Sequence, residues 1–297
     1  MTEPDHTASP FLRPAPDRSW LLGLVGAGIQ ASRTPALHER EAADSGLRLT
    51  YRLLDTVALG IDASQLPDLL LWARRLGYDG LNVTHPFKQA VVPLMEDLSD
   101  DAADLGAVNT VLLCGGTVAG RNTDWSSFAT ALHRELPDTV ADRVALVGAG
   151  GAGVAVGYGL LARGAELVSV YDVDPARAGA CAVRLAKRFG DDRVRLVARL
   201  EEAVAGAHGV VNATPLGMVG HPGLAVPERL VRSELWVADI VYFPLETGLV
   251  RVARERGCRV VGGGGMAVEQ AAGAFELFTG RAADAARMAR HFDEMSR

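Results

Sequence analysis

The glycine-rich segment Gly148-Ala-Gly150-Gly-Ala-Gly153 constrains the fold more than any other part of the sequence. It directly follows the apolar run Arg143–Val147 and opens a stretch typical of a helix. An acidic residue, Asp172, stands at the end of the next apolar run, at about the 20-residue separation that such turns require. The spacing alone is weak evidence, but the strand, helix and acid together predict a dinucleotide-binding turn in a Rossmann-type domain.

Each part of this turn has a physical role toward a nucleotide. Glycines allow the backbone to bend tightly and approach a pyrophosphate, whose charge is met by the amides at the helix N-terminus. The predicted cofactor-binding residues of the turn are Gly148, Ala149, Gly150, Gly151, Ala152 and Gly153. Asp172 is expected to accept hydrogen bonds from the ribose hydroxyls and, with Asp174, to repel a 2'-phosphate, which favours NAD over NADP. Arg177 could turn toward such a phosphate and weaken that preference.

Apolar runs alternate with helical patterns along most of the chain, which predicts an α/β protein. Residues 1–19 are Pro-rich and polar and are expected to form a flexible tail. We expect a substrate-binding α/β domain with a parallel sheet over 20–124, a doubly wound dinucleotide-binding domain over 125–265, and helices over 266–297 that return to the first domain. Predicted strands of the first domain are 21–26, 50–55 and 80–83, with a hairpin of 107–113 and 117–121, and its predicted helices are 35–43, 64–76 and 87–94. Thr34 is expected as N-cap of the first helix, a helix is expected to open at Asn122-Thr-Asp124, and the C-terminal helices are expected to break at Thr279-Gly280.

Composition excludes several classes of function. The net charge of -6 and the lack of a basic cluster argue against nucleic acid as a partner. No apolar run is long enough to span a membrane. The three cysteines, Cys114, Cys181 and Cys258, are far apart and show no metal-binding or disulfide spacing, which fits a reducing cytoplasm and no metal site. Oligomeric state stays open, a homodimer being compatible with the sequence.

Lysine is rare in this chain, and one lysine stands at a predicted strand end. Among 30 basic residues only Lys88 and Lys187 are lysines. Arginine keeps its proton near neutral pH, whereas a shielded lysine can release one. Lys88 follows the strand 80–83 and is therefore a candidate acid/base group, the alternative being an ordinary solvated surface cation.

Several separated motifs resemble those of the shikimate/quinate dehydrogenase family, over nearly the whole chain after residue 20. Gly80-Leu-Asn82-Val-Thr84-His-Pro-Phe-Lys88 is similar to the family's lysine motif, Gly106-Ala-Val-Asn109-Thr to its asparagine motif, and Asn122-Thr-Asp124 to its aspartate motif. Later matches are Asn212-Ala-Thr214-Pro-Leu-Gly-Met218, Asp239-Ile-Val241-Tyr242-Phe-Pro, and Met266 with Gln270.

The resemblance implies a reversible oxidation of a ring secondary alcohol of shikimate or quinate, with hydride passing to the nicotinamide. It implies Lys88 and Asp124 as the catalytic pair, although Asp124 alone would equally suit a helix N-cap. The implied binding residues for this small anionic hydroxylated substrate are Ser32, Thr34, Asn82, Thr84, Asn109, Tyr242 and Gln270. The residues implied near the nicotinamide are Thr214, Met218, Val241, Gly263 and Met266. His38 and His85 lie in family-like segments but are expected to be structural.

Three departures from the usual family pattern bear on function. Ser32-Arg-Thr34-Pro stands where NADP-using biosynthetic members carry Ser-x-Ser-Pro, and Asp172-Val-Asp174 stands where they carry an Asn-Arg-Thr phosphate clamp. Both changes resemble the NAD-dependent quinate/shikimate branch. The third is Gly262-Gly263, within a run of four glycines, in place of Asp-Gly before the methionine.

Alternatives remain at this stage. One is a dehydrogenase for an amino or otherwise modified shikimate, and another is an NADP-dependent biosynthetic enzyme. A non-catalytic dinucleotide sensor is the alternative from another class, against which the retention of both Lys88 and Asp124 argues.

Overall fold

The computed structural model describes residues 18–113, 115–139 and 141–296. They form two compact units: the described residues up to Thr123 and from Gln270 onward belong to the first, and Asp124–Glu269 is the second. The predicted tail lies, as far as residue 17, outside the described residues, and Ser19 already belongs to a strand. The unit boundaries differ slightly from the predicted domain limits because one continuous helix, Gly263–Thr279, carries the chain from the second unit into the first.

Strands and helices alternate through both units. The strands are β1 Ser19–Gly26, β2 Arg48–Asp55, β3 Gly80–Val83, β4 Asp97–Leu98, β5 Thr110–Leu112, β6 Ala119–Arg121, β7 Arg143–Val147, β8 Leu167–Tyr171, β9 Val194–Leu196, β10 Gly209–Asn212, β11 Trp236–Asp239 and β12 Arg259–Val261. The α-helices are α1 Thr34–Asp44, α2 Thr56–Leu59, α3 Leu66–Arg75, α4 Asp100–Leu105, α5 Asp124–Glu135, α6 Gly151–Ala162, α7 Pro175–Phe189, α8 Leu200–Val204, α9 Gly248–Glu255, α10 Gly263–Thr279 and α11 Ala285–Glu294.

The sheet of the first unit is mixed, with the order β2-β1-β3-β5-β6-β4. β1 is parallel to β2 and to β3, whereas β5 is antiparallel to β3 and to β6. The expectation of a parallel sheet in this unit was therefore wrong beyond β3. The predicted hairpin explains the difference, because β5 and β6 are joined by a short connection, which only antiparallel strands allow. Gly115 and Gly116 in that connection have φ of 77° and 89°, values that favour glycine.

The predicted helix over 87–94 is also wrong. After β3 the chain makes single turns and a short 3-10 segment, Val92–Leu94. Pro93 has no N–H group to continue a helical hydrogen-bond ladder, so the turn beginning at Phe87 does not propagate. At α1 the helix begins at Thr34, with Arg33 rather than Thr34 in the N-cap position.

The second unit contains a fully parallel sheet with the order β12-β11-β10-β7-β8-β9. This is the strand order of the doubly wound dinucleotide-binding fold, in which the winding direction reverses between β7 and β10. The predicted fold class is confirmed. In such sheets ligands bind beyond the carboxyl ends of the strands at the reversal, which here are Val147 and Asn212.

The C-terminal helices pack on the first unit, as predicted. Phe278 of α10 lies in one apolar cluster with Leu22, Leu24 and Tyr51. Its ring is so close to Gly80 that a Cβ atom there would lie 2.3 Å from it. In α11, Arg287 donates two hydrogen bonds, of 2.7 and 2.9 Å, to the buried carboxylate of Glu41 on α1. α10 ends at Thr279 and Gly280 follows with φ of 69°, which is the predicted break.

Candidate functional site

The glycines of the turn after β7 fall into two groups: some are required by the packing of the fold, and others leave room for a ligand. A Cβ atom at residue 153 would lie 2.0 Å from the carbonyl oxygen of Gly148, and one at residue 148 would lie 2.7 Å from the methyl group of Thr214. Gly148 also has φ of 100°. In contrast, Cβ atoms at Gly150 and Gly151 would have no atom within 4 Å apart from those of their own chain neighbours and helix backbone. Two glycines are thus required by close packing, and two leave space above the turn.

The helix behind this space is suited to an anion. α6 begins at Gly151, and no side chain caps its N-terminus. The first N–H groups of a helix and its dipole attract negative charge, phosphate in particular. An open backbone surface and an uncapped helix start together fit the pyrophosphate of a dinucleotide, with Ala149 and Ala152 contributing only backbone atoms and methyl groups.

Acidic groups line the end of β8, next to the turn. One carboxylate oxygen of Asp172 accepts a hydrogen bond of 2.8 Å from Ala149 N–H, and the other accepts one of 2.9 Å from Asp174 N–H. Each carboxylate oxygen retains a second lone pair that a ribose hydroxyl can use. Asp172 therefore fastens the turn to β8 and keeps acceptor capacity that would suit a ribose hydroxyl.

Asp174 adds a second negative charge to this end of β8. Its carboxylate caps α7 by accepting a hydrogen bond of 2.9 Å from Ala176 N–H, and this bond chiefly lowers its pKa. Arg177 donates a hydrogen bond of 3.1 Å to Asp174 and lies 3.8 Å from Asp172. The arginine is thus directed onto the two carboxylates.

A buried hydrogen-bond network fixes the loops after β10 and β11. Asn212 donates 2.9 Å to Asp239 and accepts 2.7 Å from the Thr214 hydroxyl, and Asp239 accepts 2.6 Å from the Thr247 hydroxyl and 3.0 Å from Val241 N–H. Burial raises the pKa of Asp239. This network holds two predicted cofactor residues, Thr214 and Val241, in place.

Thr247 was missed in the sequence analysis. Asn212 and Asp239, quoted there only as parts of motifs, act as the supports of these loops. A detectable signal existed, since both polar residues end adjacent apolar strands.

Apolar side chains are exposed on the loops that this network supports. Met218 is 38% exposed and Tyr242 is 50% exposed. The two loops are joined by a hydrogen bond of 3.1 Å from Val219 N–H to the carbonyl oxygen of Phe243. Both predicted residues are therefore presented at the surface of this unit rather than in its core.

The run of four glycines contains one position that packing requires and one that it does not. A Cβ atom at Gly263 would lie 2.5 and 2.6 Å from the carbonyl oxygens of Ile240 and Val241. At Gly262 the nearest atom would be the Leu245 carbonyl oxygen, at 3.9 Å. Gly263 begins α10, which carries the buried Met266 and, one turn later, Gln270. The departure at Gly262 thus removes no required contact.

A matched pair of substitutions tests this distinction. Gly262→Ala is expected to leave the unfolding free energy unchanged or to raise it by about 0.5–1 kcal/mol, because alanine restricts the unfolded chain. Gly263→Ala is expected to lower it by about 1–3 kcal/mol, because the methyl group forces α10 away from the two carbonyl oxygens. Urea denaturation of both variants measures the difference. Equal stabilities would contradict the packing at Gly263.

The two catalytic candidates follow β3 and β6, Lys88 within the first unit and Asp124 as the first residue of the second. Lys88 is half-buried, and its carbonyl oxygen accepts a hydrogen bond of 2.8 Å from Val108 N–H. The next residue, Asn109, is buried and accepts a hydrogen bond of 2.9 Å from Thr123 N–H. Asp124 follows directly as the first, buried residue of α5. One short segment, Val108 and Asn109, thus fixes the backbone at Lys88 and at the residue preceding Asp124.

Two predicted substrate amides are joined by hydrogen bonds. The side-chain nitrogen of Asn82 donates 3.2 Å to the Asn109 carbonyl oxygen and 3.2 Å to the Thr110 hydroxyl, which in turn donates 3.0 Å to the Asn109 side-chain oxygen. Asn109 also donates 2.9 Å to the Thr123 hydroxyl. These contacts hold the side chain of Asn82 against Asn109 and Thr110.

Ser32 and Thr34 form a hydroxyl pair at the start of α1. Their oxygens are 3.1 Å apart. Arg33 between them turns away, with its guanidinium over the ring of Phe292 and a hydrogen bond to Ser296. The Ser32 hydroxyl also accepts a hydrogen bond of 3.3 Å from Thr34 N–H, so it satisfies one N–H group at the helix start, whereas the Thr34 hydroxyl caps no N–H of the helix.

A buried carboxylate, missed in the sequence analysis, holds the loop that precedes Ser32. Asp55 accepts hydrogen bonds of 2.9 Å from Gly28 N–H, 3.1 Å from Ile29 N–H and 3.0 Å from the Gln30 amide. Thr84 is anchored through its N–H to the Val25 carbonyl oxygen at 2.9 Å. The carboxyl ends of β2 and β3 are therefore each tied to β1 or to the loop that follows it. The predicted substrate groups Ser32 and Thr84 lie after β1 and β3, respectively.

The described part of the chain shows neither a metal-binding cluster nor a membrane-spanning helix. Residues 18–113, 115–139 and 141–296 contain no cluster of three or more His, Cys, Asp or Glu side chains arranged to hold a metal ion. Within the same ranges no helix has the length and apolar character needed to cross a bilayer.

The fold and the site of the second unit indicate a class of protein. A doubly wound sheet, an open glycine turn at its reversal and an acid at the end of the next strand are the features of dinucleotide-binding oxidoreductase domains. The first unit supplies a lysine and a hydrogen-bonded set of amides and hydroxyls.

Comparison with known proteins identifies the family. Residues 24–111 match the shikimate dehydrogenase substrate-binding domain and residues 263–291 match the shikimate 5'-dehydrogenase C-terminal domain. A shikimate dehydrogenase (NADP(+)) of Streptomyces avermitilis is 49% identical over 94% of this chain and 96% of its own length. The chain belongs to the shikimate dehydrogenase family.

Relatives named as NAD-dependent are about as similar to this chain as the NADP(+) relative is. A quinate/shikimate dehydrogenase (NAD(+)) of Corynebacterium efficiens is 48% identical over 91% of this chain and 96% of its own length. The structure of quinate dehydrogenase from Corynebacterium glutamicum in complex with NAD is 45% identical, has a TM-score of 0.88, and covers 93% of this chain and 99% of that one. Identity alone therefore does not separate NAD from NADP.

Proposed function

We propose that this protein is an NAD-dependent oxidoreductase that reversibly oxidises the ring secondary alcohol of shikimate and/or quinate to the 3-dehydro ketone. The observation that carries the proposal is the pair of carboxylates, Asp172 and Asp174, at the end of β8 beside an open glycine turn. Family membership supplies the reaction type, and these two acids support the choice of cofactor.

Charge supports NAD over NADP. A 2'-phosphate on the ribose would stand near two carboxylates, and the lowered pKa of Asp174 keeps this group ionised at neutral pH. Arg177, which lies beside these carboxylates, already donates a hydrogen bond to Asp174. The ribose hydroxyls of NAD, in contrast, are donors that Asp172 can accept.

The chemistry assigned to the chain is proton transfer. Bound NAD would supply the hydride acceptor, and the turn residues 148–153 with Asp172 would hold it. Lys88 and Asp124 act as the acid/base pair that takes the hydroxyl proton during oxidation and returns it to the ketone oxygen during reduction. Thr214, Met218, Val241, Gly263 and Met266 form the surroundings proposed for the nicotinamide.

The polar groups of the first unit match the substrate's functional groups. The hydroxyls of Ser32 and Thr34 suit the carboxylate, to which they donate without adding a charge. The amides and hydroxyls of Asn82, Thr84, Asn109 and Gln270 suit the ring hydroxyls, and Tyr242 is proposed as a further contact. The proposal includes a cytoplasmic location and is compatible with a homodimer.

Initial-rate assays with quinate and shikimate, each with NAD and NADP, test the proposal. We expect kcat/KM with NAD to exceed that with NADP by about tenfold or more, the equivalent of at least about 1.4 kcal/mol of charge repulsion. A preference for NADP would favour the second candidate, an NADP-dependent shikimate dehydrogenase like the 49% identical relative. Turnover of neither acid with either cofactor would contradict both.

Asp174→Asn tests whether the charge of this carboxylate contributes to the preference for NAD over NADP. Asparagine caps a helix as well as aspartate does, so α7 is expected to keep its stability while one negative charge is removed. We expect kcat/KM with NADP to rise severalfold and kcat/KM with NAD to stay near the wild-type value. An unchanged ratio would show that Asp174 does not set the preference.

A further inference from the structure

Tyr51 makes a contact that the proposed function does not use. It lies in β2, an edge strand of the first sheet, and is buried. Its hydroxyl donates a hydrogen bond of 2.7 Å to the side-chain oxygen of Asn82 in β3. β1 lies between these strands, so the tyrosine reaches across a whole strand to an amide proposed to bind substrate.

The contacts of Asn82 fix which of its atoms can meet a ligand. Its nitrogen donates to the Asn109 carbonyl oxygen and to the Thr110 hydroxyl, which uses both of its hydrogens. A backbone carbonyl can only accept, so a flipped amide would place two oxygens against each other. The oxygen of Asn82, with one lone pair taken by Tyr51 and one remaining, is therefore the atom available to a substrate, and it is an acceptor.

Burial keeps Tyr51 in the form that this contact requires. Its ring packs on His38, with centroids 5.0 Å apart, and belongs to the apolar cluster with Leu22, Leu24 and Phe278. Burial raises the pKa of Tyr51 well above its ordinary value and lowers the pKa of His38 to about 3. The tyrosine is thus a neutral donor, and its neighbour is a neutral ring, at any pH used for an assay.

We propose that Tyr51 is a positioning residue for the acid substrate, holding Asn82 so that its side-chain oxygen accepts a hydrogen bond from a ring hydroxyl. The inference rests on the proposed function, which supplies the hydroxylated ring. It assigns the contact a direction: the substrate hydroxyl donates and Asn82 accepts. Tyr51 itself does not touch the substrate.

Tyr51→Phe removes the hydroxyl and keeps the ring. We expect the KM for quinate or shikimate to rise about 3–10-fold, the equivalent of one neutral hydrogen bond of about 0.7–1.4 kcal/mol. The KM for NAD and kcat are expected to stay within about twofold, because Asn82 is not assigned to the cofactor or to proton transfer. Tyr78→Phe is the matched control, since Tyr78 lies in the same unit with its ring against Gly23 of β1.

Calorimetric titration of quinate or shikimate into the wild type and the two variants distinguishes the positioning role of Tyr51 from the proposed reaction. Weaker binding to Tyr51→Phe than to the wild type and to Tyr78→Phe supports the positioning role. Equal affinity of the wild type and Tyr51→Phe for the acid overturns the proposal, and so does an equal loss of affinity for the acid and for NAD. Either result would mean that the Tyr51 hydroxyl has only a structural role. A wild-type protein that binds the acid without turnover contradicts only the proposed reaction, whereas one that binds neither acid contradicts both.

Discussion

Replacing Lys88 with methionine is expected to lower kcat by about 10²–10⁴-fold, the usual contribution of a general acid/base. Methionine retains an unbranched chain of similar length but has no proton to give or accept. The backbone at Lys88 should keep its place, because its carbonyl oxygen is held by Val108 N–H and the adjacent Phe87 is buried in the core. NAD affinity is therefore expected to remain within about twofold of the wild-type value.

Lys187 offers an internal control, because it is the only other lysine of the chain and lies exposed in the last turn of α7. Lys187→Met removes the same charge and should leave kcat and both KM values unchanged. Initial rates give kcat, and quenching of protein fluorescence by NAD gives the affinity. Near-normal turnover of Lys88→Met would end the assignment of this lysine as the acid/base group.

A double variant tests whether Lys88 and Asp124 act together. Asp124→Asn preserves the shape of the side chain and is expected to lower kcat as well. If the two groups act as one unit, the double variant should be little slower than the slower single variant, because groups that share one step are strongly non-additive. If the double variant instead loses kcat by the product of the two single-variant factors, the two residues contribute independently.

The second unit was predicted well from sequence because its signals are local. Each parallel strand is a short apolar run, and the glycine turn has a spacing that only a strand–turn–helix connection explains. The dependence of Gly153 on Gly148 is likewise contained within six residues. Local signals also placed α5 at Asp124 and the break after Thr279.

The omissions concern contacts between distant segments, whereas the error over 87–94 was local, because Pro93 interrupts the helical pattern within the segment itself. The hairpin requires β5 and β6 to be antiparallel to each other, but which of them pairs with β3 depends on contacts between segments far apart in the sequence. Tyr51 was overlooked because its partner, Asn82, is two strands away in the sheet. Thr247 and Asp55 were overlooked for the same reason, since each supports a loop from a neighbouring element. Short-range patterns thus locate the candidate groups, and long-range packing determines how they are oriented.

Gly153→Ala is expected to abolish measurable NAD binding and to destabilise the protein. The added methyl group would lie 2.0 Å from the carbonyl oxygen of Gly148, so either β7 or α6 must shift. Overpacking of this kind costs about 1–3 kcal/mol, and the shift would displace the amides at the start of α6 from the pyrophosphate position. Thermal denaturation and NAD titration measure the two consequences.

Gly150→Ala is expected to weaken NAD binding with little effect on the stability of the fold. A Cβ atom at this position meets no atom within 4 Å apart from those of its own chain neighbours, and alanine at a helix N-cap is expected to change stability by no more than about 1 kcal/mol. The methyl group would instead occupy the space assigned to the pyrophosphate, so NAD binding should weaken at least about tenfold. Wild-type NAD affinity in Gly150→Ala would show that the dinucleotide does not lie on this turn. Wild-type stability in Gly153→Ala would contradict the close packing of Gly153 against the Gly148 carbonyl oxygen.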